Sequence, residues 1–223
     1  MKKRIQRNFV VTGLLFLLFG LFLMAVRHID VQAIGADGSS VGLATINQYV
    51  FQALGVNLLW YTITDWLGVV AILVAFGFAV LGGIQFITRK SLLRVDADIL
   101  ILGIYYVVVV AVYALFEVFI VNYRPIIMDE GLEPSFPSSH TMIVMCIMMA
   151  AVLQFRQRIK NRIVRIVAEI ASISVILITV VGRLISGVHW FTDIVGGILL
   201  SVALVMLYYS ITKCKQVANS IDK

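Results

Sequence analysis

Cysteine and charge are the two things that this 223-residue sequence has little of. Only two cysteines occur, Cys146 and Cys214, which excludes a disulfide framework and a multi-cysteine metal site. Charged residues make up 13% of the chain, about half the share usual in globular proteins. With 61% hydrophobic residues, the chain has too much apolar surface for a soluble enzyme or a disordered protein. The composition predicts an integral membrane protein.

The net charge of +6 does not indicate a nucleic-acid partner. The basic residues occur in short clusters beside apolar segments, whereas nucleic-acid binding needs a basic face or tail. We interpret the charge as a topology signal and expect membrane lipids, not nucleic acid, as partners.

Six stretches are long and apolar enough to cross a bilayer as helices. They cover roughly 9–26, 66–88, 98–121, 140–155, 163–185 and 191–212. The first is interpreted as a retained anchor, because its apolar run exceeds that of a typical signal peptide and no convincing cleavage site follows. We expect an all-α polytopic membrane protein, a six-transmembrane-helix bundle that forms a single domain over residues 1–223.

The distribution of lysine and arginine predicts the orientation. Of the 18 such residues, 15 fall in the termini and in the second-to-third and fourth-to-fifth connections, and cytoplasmic loops carry the basic excess. Both termini are therefore expected in the cytoplasm, with the remaining connections outside the cell.

The predicted outer loop, 28–65, contains a four-residue apolar repeat. Ile46, Val50, Leu54 and Leu58 form this repeat, while Asn47, Gln48 and Gln52 fall on other faces. The pattern suits a helix in the membrane interface or, equally, a packed loop helix without a lipid role.

His189 and Asp193 are four residues apart at the predicted start of the sixth span. That spacing places both side chains on one helix face, where the carboxylate can orient the imidazole. The histidine could then attack phosphorus or deprotonate water. Alone, the pair could instead be a structural pair at a helix start.

Pro137, Ser138, Ser139 and His140 have the pattern of a helix start, with a serine at the N-cap. Free backbone N–H groups and two hydroxyls would form an anion site there, and His140 could protonate a leaving oxygen. The alternative is an ordinary cap with an interfacial histidine.

Arg124 and Arg183 stand at outer span ends and can each donate two hydrogen bonds to phosphate. Either could instead anchor the helix in lipid headgroups. Together with the two histidines, however, the arginines predict a phosphoryl-transfer site in which no metal is required.

These residues resemble the type-2 phosphatidic acid phosphatase family, membrane enzymes related in their site to vanadium haloperoxidases. The family pattern is Lys-x6-Arg-Pro, Pro-Ser-Gly-His and Ser-Arg-x5-His-x3-Asp, and Arg124-Pro125, Pro137, Ser138, His140, Arg183, His189 and Asp193 match it. The resemblance implies a nucleophile at His189, an orienting carboxylate at Asp193, a general acid at His140 and phosphate ligands at Arg124, Arg183 and Ser138. It implies no cofactor.

Three positions depart from the family pattern. Ser139 replaces a glycine but keeps a small residue whose N–H can bind phosphate, and Gly182 replaces a serine. Glu117 stands where the family has lysine, seven residues before Arg124, which predicts the same helix face two turns earlier. The carboxylate could point away, be protonated, or pair with Arg124 until substrate arrives.

The sequence thus predicts an integral membrane lipid phosphatase of the cell membrane with its site facing outside. The resemblance implies hydrolysis of phosphatidic acid, phosphatidylglycerol phosphate or undecaprenyl pyrophosphate through a phosphohistidine. A lipid phosphotransferase and a catalytically degenerate lipid-phosphate binder are the alternatives. A transporter is disfavoured because no matched pair of broken spans occurs.

Overall fold

The computed structural model describes residues 2–128 and 131–221, and these form seven α-helices with no strand beyond isolated bridges. The helices are α1 (Lys2–His28), α2 (Ala44–Leu54), α3 (Leu58–Arg89), α4 (Ala97–Val118), α5 (Ser139–Arg158), α6 (Arg162–Ser186) and α7 (Phe191–Ile221). Within the described ranges, all of them except α2 are long and apolar enough to cross a membrane. The all-α, six-span prediction is confirmed.

Among the helix ends that differ from the predicted ones, two affect the site. Helix α3 begins at Leu58 and not at 66, because the Asn57 side chain caps it by accepting from the backbone N–H groups of Leu59 and Trp60. Helix α4 ends at Val118 and not at 121. The chain then folds into a loop in which the Arg124 N–H donates to the Glu133 carbonyl and the Ser135 N–H to that of Asn122.

Helices α5 and α7 lie at the centre of the bundle. More than half of the most apolar stretch of each is buried, against less than a third for the other four spans. Helix α5 packs against α3, α6 and α7, while α1 covers the other side of α7. Large apolar side chains on α3, α4 and α6, such as Phe76, Val107 and Ile170, remain exposed, as helices in contact with lipid require.

Ion pairs join three helices at the N-terminal end of α4. Arg158 at the end of α5 contacts Asp96 at 3.2 Å and Asp98 at 2.6 Å. Asp96 also pairs with Arg89 of α3 at 2.8 Å, and the hydrogen bond from Arg89 is the main reason that the pKa of Asp96 is lowered. This network fixes the connection between α3 and α4 at the end of the bundle opposite the C-terminus of α4.

Helix α2 packs through a polar residue. Asn47 is fully buried and joins α2 to the start of α7, because its amide donates to the Thr192 hydroxyl and accepts from the Thr192 N–H. Ile46 and Leu54, from the predicted apolar row, are exposed. The row is therefore open to the surroundings, and its contact with lipid stays a prediction.

Candidate active site

A cavity of about 440 Å³ lies where the end of α4, the loop after it and the start of α5 meet. Four of the residues predicted for the site line it: Arg124, Ser139, His140 and His189. The other three adjoin it, since Arg183 is linked to His140 through Asp65, and Ser138 donates its N–H to the Asp193 carbonyl. The structure therefore brings all seven predicted residues together.

His189 lies just before α7 and not in it. The helix starts at Phe191, and Asp193 caps this start because its Oδ2 accepts from the Trp190 backbone N–H at 2.9 Å. The prediction of one shared helix face was therefore wrong, although the two side chains do meet. Nδ1 of His189 lies 3.7 Å from Asp193 Oδ2, which is close enough for an ion pair but longer than a hydrogen bond.

The His189 imidazole is prepared as a neutral base. The side chain is 2% exposed, and burial lowers its pKa below the ordinary value for histidine, outweighing the opposite effect of Asp193. Neither ring nitrogen has a hydrogen-bond partner among the described residues. A neutral imidazole with a free lone pair is the form that can act as a nucleophile.

The start of α5 has the predicted form. Ser138 is the N-cap residue, but its buried hydroxyl makes no cap hydrogen bond, nor any other within the described residues. His140 lies on the first turn, with its Nε2 3.0 Å from Oδ1 of Asp65 on α3. The hydroxyl of Ser138 is thus left free for a ligand at the helix N-terminus.

The two arginines each have a carboxylate partner. Nη2 of Arg124 lies 2.8 Å from Oε2 of Glu133, and Arg183 donates from Nη2 to Oδ1 of Asp65. Arg183 is also fully buried, with its guanidinium carbon 4.7 Å from the centre of the Tyr61 ring. Both guanidinium groups lie close enough to interact electrostatically with both histidines.

Several buried polar atoms in residues that line the cavity or adjoin it have no partner in the described part of the chain. These are Nε and Nη1 of Arg124, Nε and Nη1 of Arg183, the hydroxyls of Ser138 and Thr141, and both ring nitrogens of His189. A buried polar group without a partner costs about 1–3 kcal/mol. Such a set, grouped around one cavity, is suited to receive the oxygens of an anion.

Glu117 lines the same cavity. It lies on the last turn of α4, whereas Arg124 follows in the loop, so the predicted shared helix face does not exist. Arg124 pairs with Glu133, and no ion pair joins it to Glu117 among the described residues. Glu117 instead lies beside Tyr113, one turn earlier on α4.

Three residues of the site were missed by the sequence analysis: Asp65, Glu133 and Asn122. Asn122 supports the carboxylate of Asp193, since its amide donates to Oδ1 at 3.3 Å. A signal existed only for Asp65, because an ionisable residue within a span is a functional candidate, and the predicted start at 66 placed it outside.

The comparisons with known proteins agree with this geometry. A sequence model described as the PAP2 superfamily matches residues 99–216, which is more than half of the chain, and the chain belongs to that superfamily. No curated protein matches it in sequence.

One solved structure has the same fold. It is described as the crystal structure of the first transmembrane PAP2 type phosphatidylglycerolphosphate phosphatase, from Bacillus subtilis. The two chains are 18% identical, the TM-score is 0.64, and the match covers 91% of this chain and 96% of that one. Six apolar helices and this fold make the chain a multi-pass membrane protein.

Proposed function

We propose that this protein is a lipid phosphatase that hydrolyses a phosphate monoester or pyrophosphate carried by a membrane lipid. The observation that carries the proposal is the group of unpartnered buried donors around a cavity that also holds two histidines. Membership of the PAP2 superfamily supports the same reaction class.

The first step is attack by His189 on phosphorus. A bond forms between a ring nitrogen and phosphorus as the bond from phosphorus to the ester oxygen breaks, and His140 donates a proton to that oxygen. The resulting phosphohistidine carries positive charge on its ring, which the carboxylate of Asp193 stabilises. Water then attacks phosphorus, giving its proton to His140, and releases phosphate and free His189.

The phosphoryl oxygens bind to the groups that lack partners. Arg124 and Arg183 donate from their free guanidinium nitrogens, the Ser138 hydroxyl donates a further hydrogen bond, and Ser139 adds its backbone N–H at the start of α5. The mechanism uses the two arginines for charge stabilisation, so it requires no metal ion. Substrate shares each arginine with the carboxylate already paired to it.

The lipid chain enters from the side of the bundle. An apolar groove of about 510 Å³ runs between α3 and α4, with Gly82, Gly103 and Tyr106 among its lining residues. Tyr106 lies two helical turns before Tyr113, which lines the catalytic cavity on the same helix. A substrate with its phosphate in the cavity can therefore lay its hydrocarbon chain in this groove.

The site is proposed to face the outside of the cell membrane. The cavity lies at the C-terminal end of α4. The ion pairs of Asp96 with Arg89 and Arg158 lie at the other end of that helix. Because basic residues accumulate on the cytoplasmic side, that network and both termini are assigned to the cytoplasm.

The test is phosphate release by the purified protein in detergent. Phosphatidic acid, phosphatidylglycerol phosphate and undecaprenyl pyrophosphate are the substrates, with His189→Ala as the inactive variant and His28→Ala as its matched control, since His28 is exposed. We expect release from at least one lipid, lost in His189→Ala alone, and an acid-labile phosphoryl label on the wild-type protein. Equal release by wild type and His189→Ala would refute the mechanism.

A lipid-phosphate binder without activity is the second candidate, and the carboxylates favour it. Glu117 lines the cavity, and both arginines are paired with acidic residues. If the wild type binds the three lipids but releases phosphate from none, this second function replaces the first.

A further inference from the structure

Asp65 connects two residues of the catalytic site from outside the family motifs. It lies on α3, and the PAP2 sequence match covers only residues 99–216. Its Oδ1 atom contacts Nε2 of His140 at 3.0 Å and accepts a hydrogen bond from Arg183. One carboxylate oxygen thus links the start of α5 to the end of α6.

Arg183 holds this carboxylate in place. The guanidinium group is fully buried and packs over the Tyr61 ring, which lies one turn before Asp65 on α3. A buried cation has few alternative positions, because each would leave its charge uncompensated. The fixed arginine therefore fixes Asp65, and through it the ring of His140.

Two glycines allow α3 to pack closely against α5 and α6. At Gly182 of α6, a Cβ atom would lie 2.5 Å from Cγ2 of Thr64, the residue before Asp65. At Gly68 of α3, a Cβ atom would lie 3.2 Å from the His140 ring. Gly182, which stands where the family pattern has serine, thus leaves the space in which Thr64 and Asp65 approach α6.

The contact has a direct consequence for proton donation. With Nε2 of His140 bound to Asp65, the ring rotation is set and Nδ1 is the nitrogen left for the leaving oxygen. Asp193 stands in a similar relation to His189. The site therefore contains two histidine–aspartate pairs, one for the nucleophile and one for the proton donor.

We propose that Asp65 is a positioning residue for His140. Anchored by Arg183, it holds the imidazole so that its proton reaches the leaving oxygen of the lipid. The proposal rests on the phosphatase function proposed above and adds to it a residue that the family motifs do not contain.

The test compares two leaving groups. A phosphate monoester of a lipid alcohol releases an alkoxide, which needs a proton, whereas p-nitrophenyl phosphate releases a phenolate that is stable without one. For Asp65→Asn we expect kcat/KM to fall about 10- to 100-fold on the lipid but less than about threefold on the aryl phosphate. This parameter reports the steps up to release of the leaving group and not the later hydrolysis of the phosphohistidine, in which His140 acts with both substrates. His140→Ala should show the same selectivity, and the double variant should add little to either single change.

The ratio of the two rates separates positioning from other roles. Any effect of the substitution on Arg183, or on folding, acts on both substrates alike, because the transferred phosphoryl group is the same. Asp37→Asn is the matched control, since Asp37 is exposed and does not line the cavity. If Asp65→Asn does not purify as a folded protein, Asp65→Glu serves instead, because it keeps the charge but moves the ring.

Equal losses on both substrates would overturn the proposal, and so would no loss on either. The proposed function fails in a different way. If the wild-type protein releases phosphate from neither substrate, the phosphatase assignment falls and the role of Asp65 falls with it. An active wild type with an unchanged ratio in the variants would remove the role of Asp65 alone.

Discussion

Replacing Glu117 by lysine should strengthen phosphate binding. The carboxylate lines a cavity of about 440 Å³, and a sphere of that volume is about 9 Å across. We take about 9 Å as the separation between a bound phosphate and this side chain. Two unit charges at that distance interact by about 2 kcal/mol at an effective dielectric constant of about 20, and by about 0.5 kcal/mol in water.

The expected gain uses the lower of these values, because Glu117 is exposed to solvent. Charge reversal removes one repulsion and adds one attraction, so Glu117→Lys should improve phosphate affinity by about 1 kcal/mol, or about fivefold. The assay is competitive inhibition of lipid hydrolysis by inorganic phosphate, with Asp37→Lys as a control for net charge. Equal inhibition constants for wild type and both variants would refute the reasoning.

Three further predictions follow from the contacts around the site. Gly182→Ser should cost about 1–3 kcal/mol of stability in thermal unfolding and also reduce kcat, because the new side chain clashes with Thr64 and shifts Asp65; an unchanged melting temperature would contradict it. Asn47→Ala should cost about 1–3 kcal/mol by leaving the buried N–H of Thr192 without its acceptor, and denaturation at wild-type temperature would show otherwise. Because burial lowers the pKa of His189, its ring gains a proton only below the ordinary value of 6.5, so kcat/KM should stay high as the pH falls to about 6.5 and drop below it. A decline that starts above that pH would contradict the assignment.

The six spans and the motif residues could be predicted because both depend on local sequence. Apolar runs of about 20 residues specify spans without any tertiary information, and six of them were found. Arg183, His189 and Asp193 are likewise close in sequence, and the short turn between α6 and α7 keeps them close in space.

The ion pairs of the site could not be predicted, because they join residues that are far apart in sequence. Asp65 and Arg183 are separated by 118 positions, and their contact depends on how closely α3 packs against α6. Glu133 meets Arg124 only because the loop after α4 folds back on itself. The position of His189 outside the helix was missed for a related reason, since the cap formed by Asp193 decides where α7 begins.

The cap at the start of α7 leaves Asp193 no freedom to turn. One of its oxygens is bound to the Trp190 N–H and the other to the amide of Asn122. In the proposed mechanism the charge on His189 appears only after attack, and the 3.7 Å gap to Asp193 is then about 1 Å longer than a charge-assisted hydrogen bond. The carboxylate of Asp193 is therefore already oriented before attack, and it need not reorganise when the charge on His189 forms.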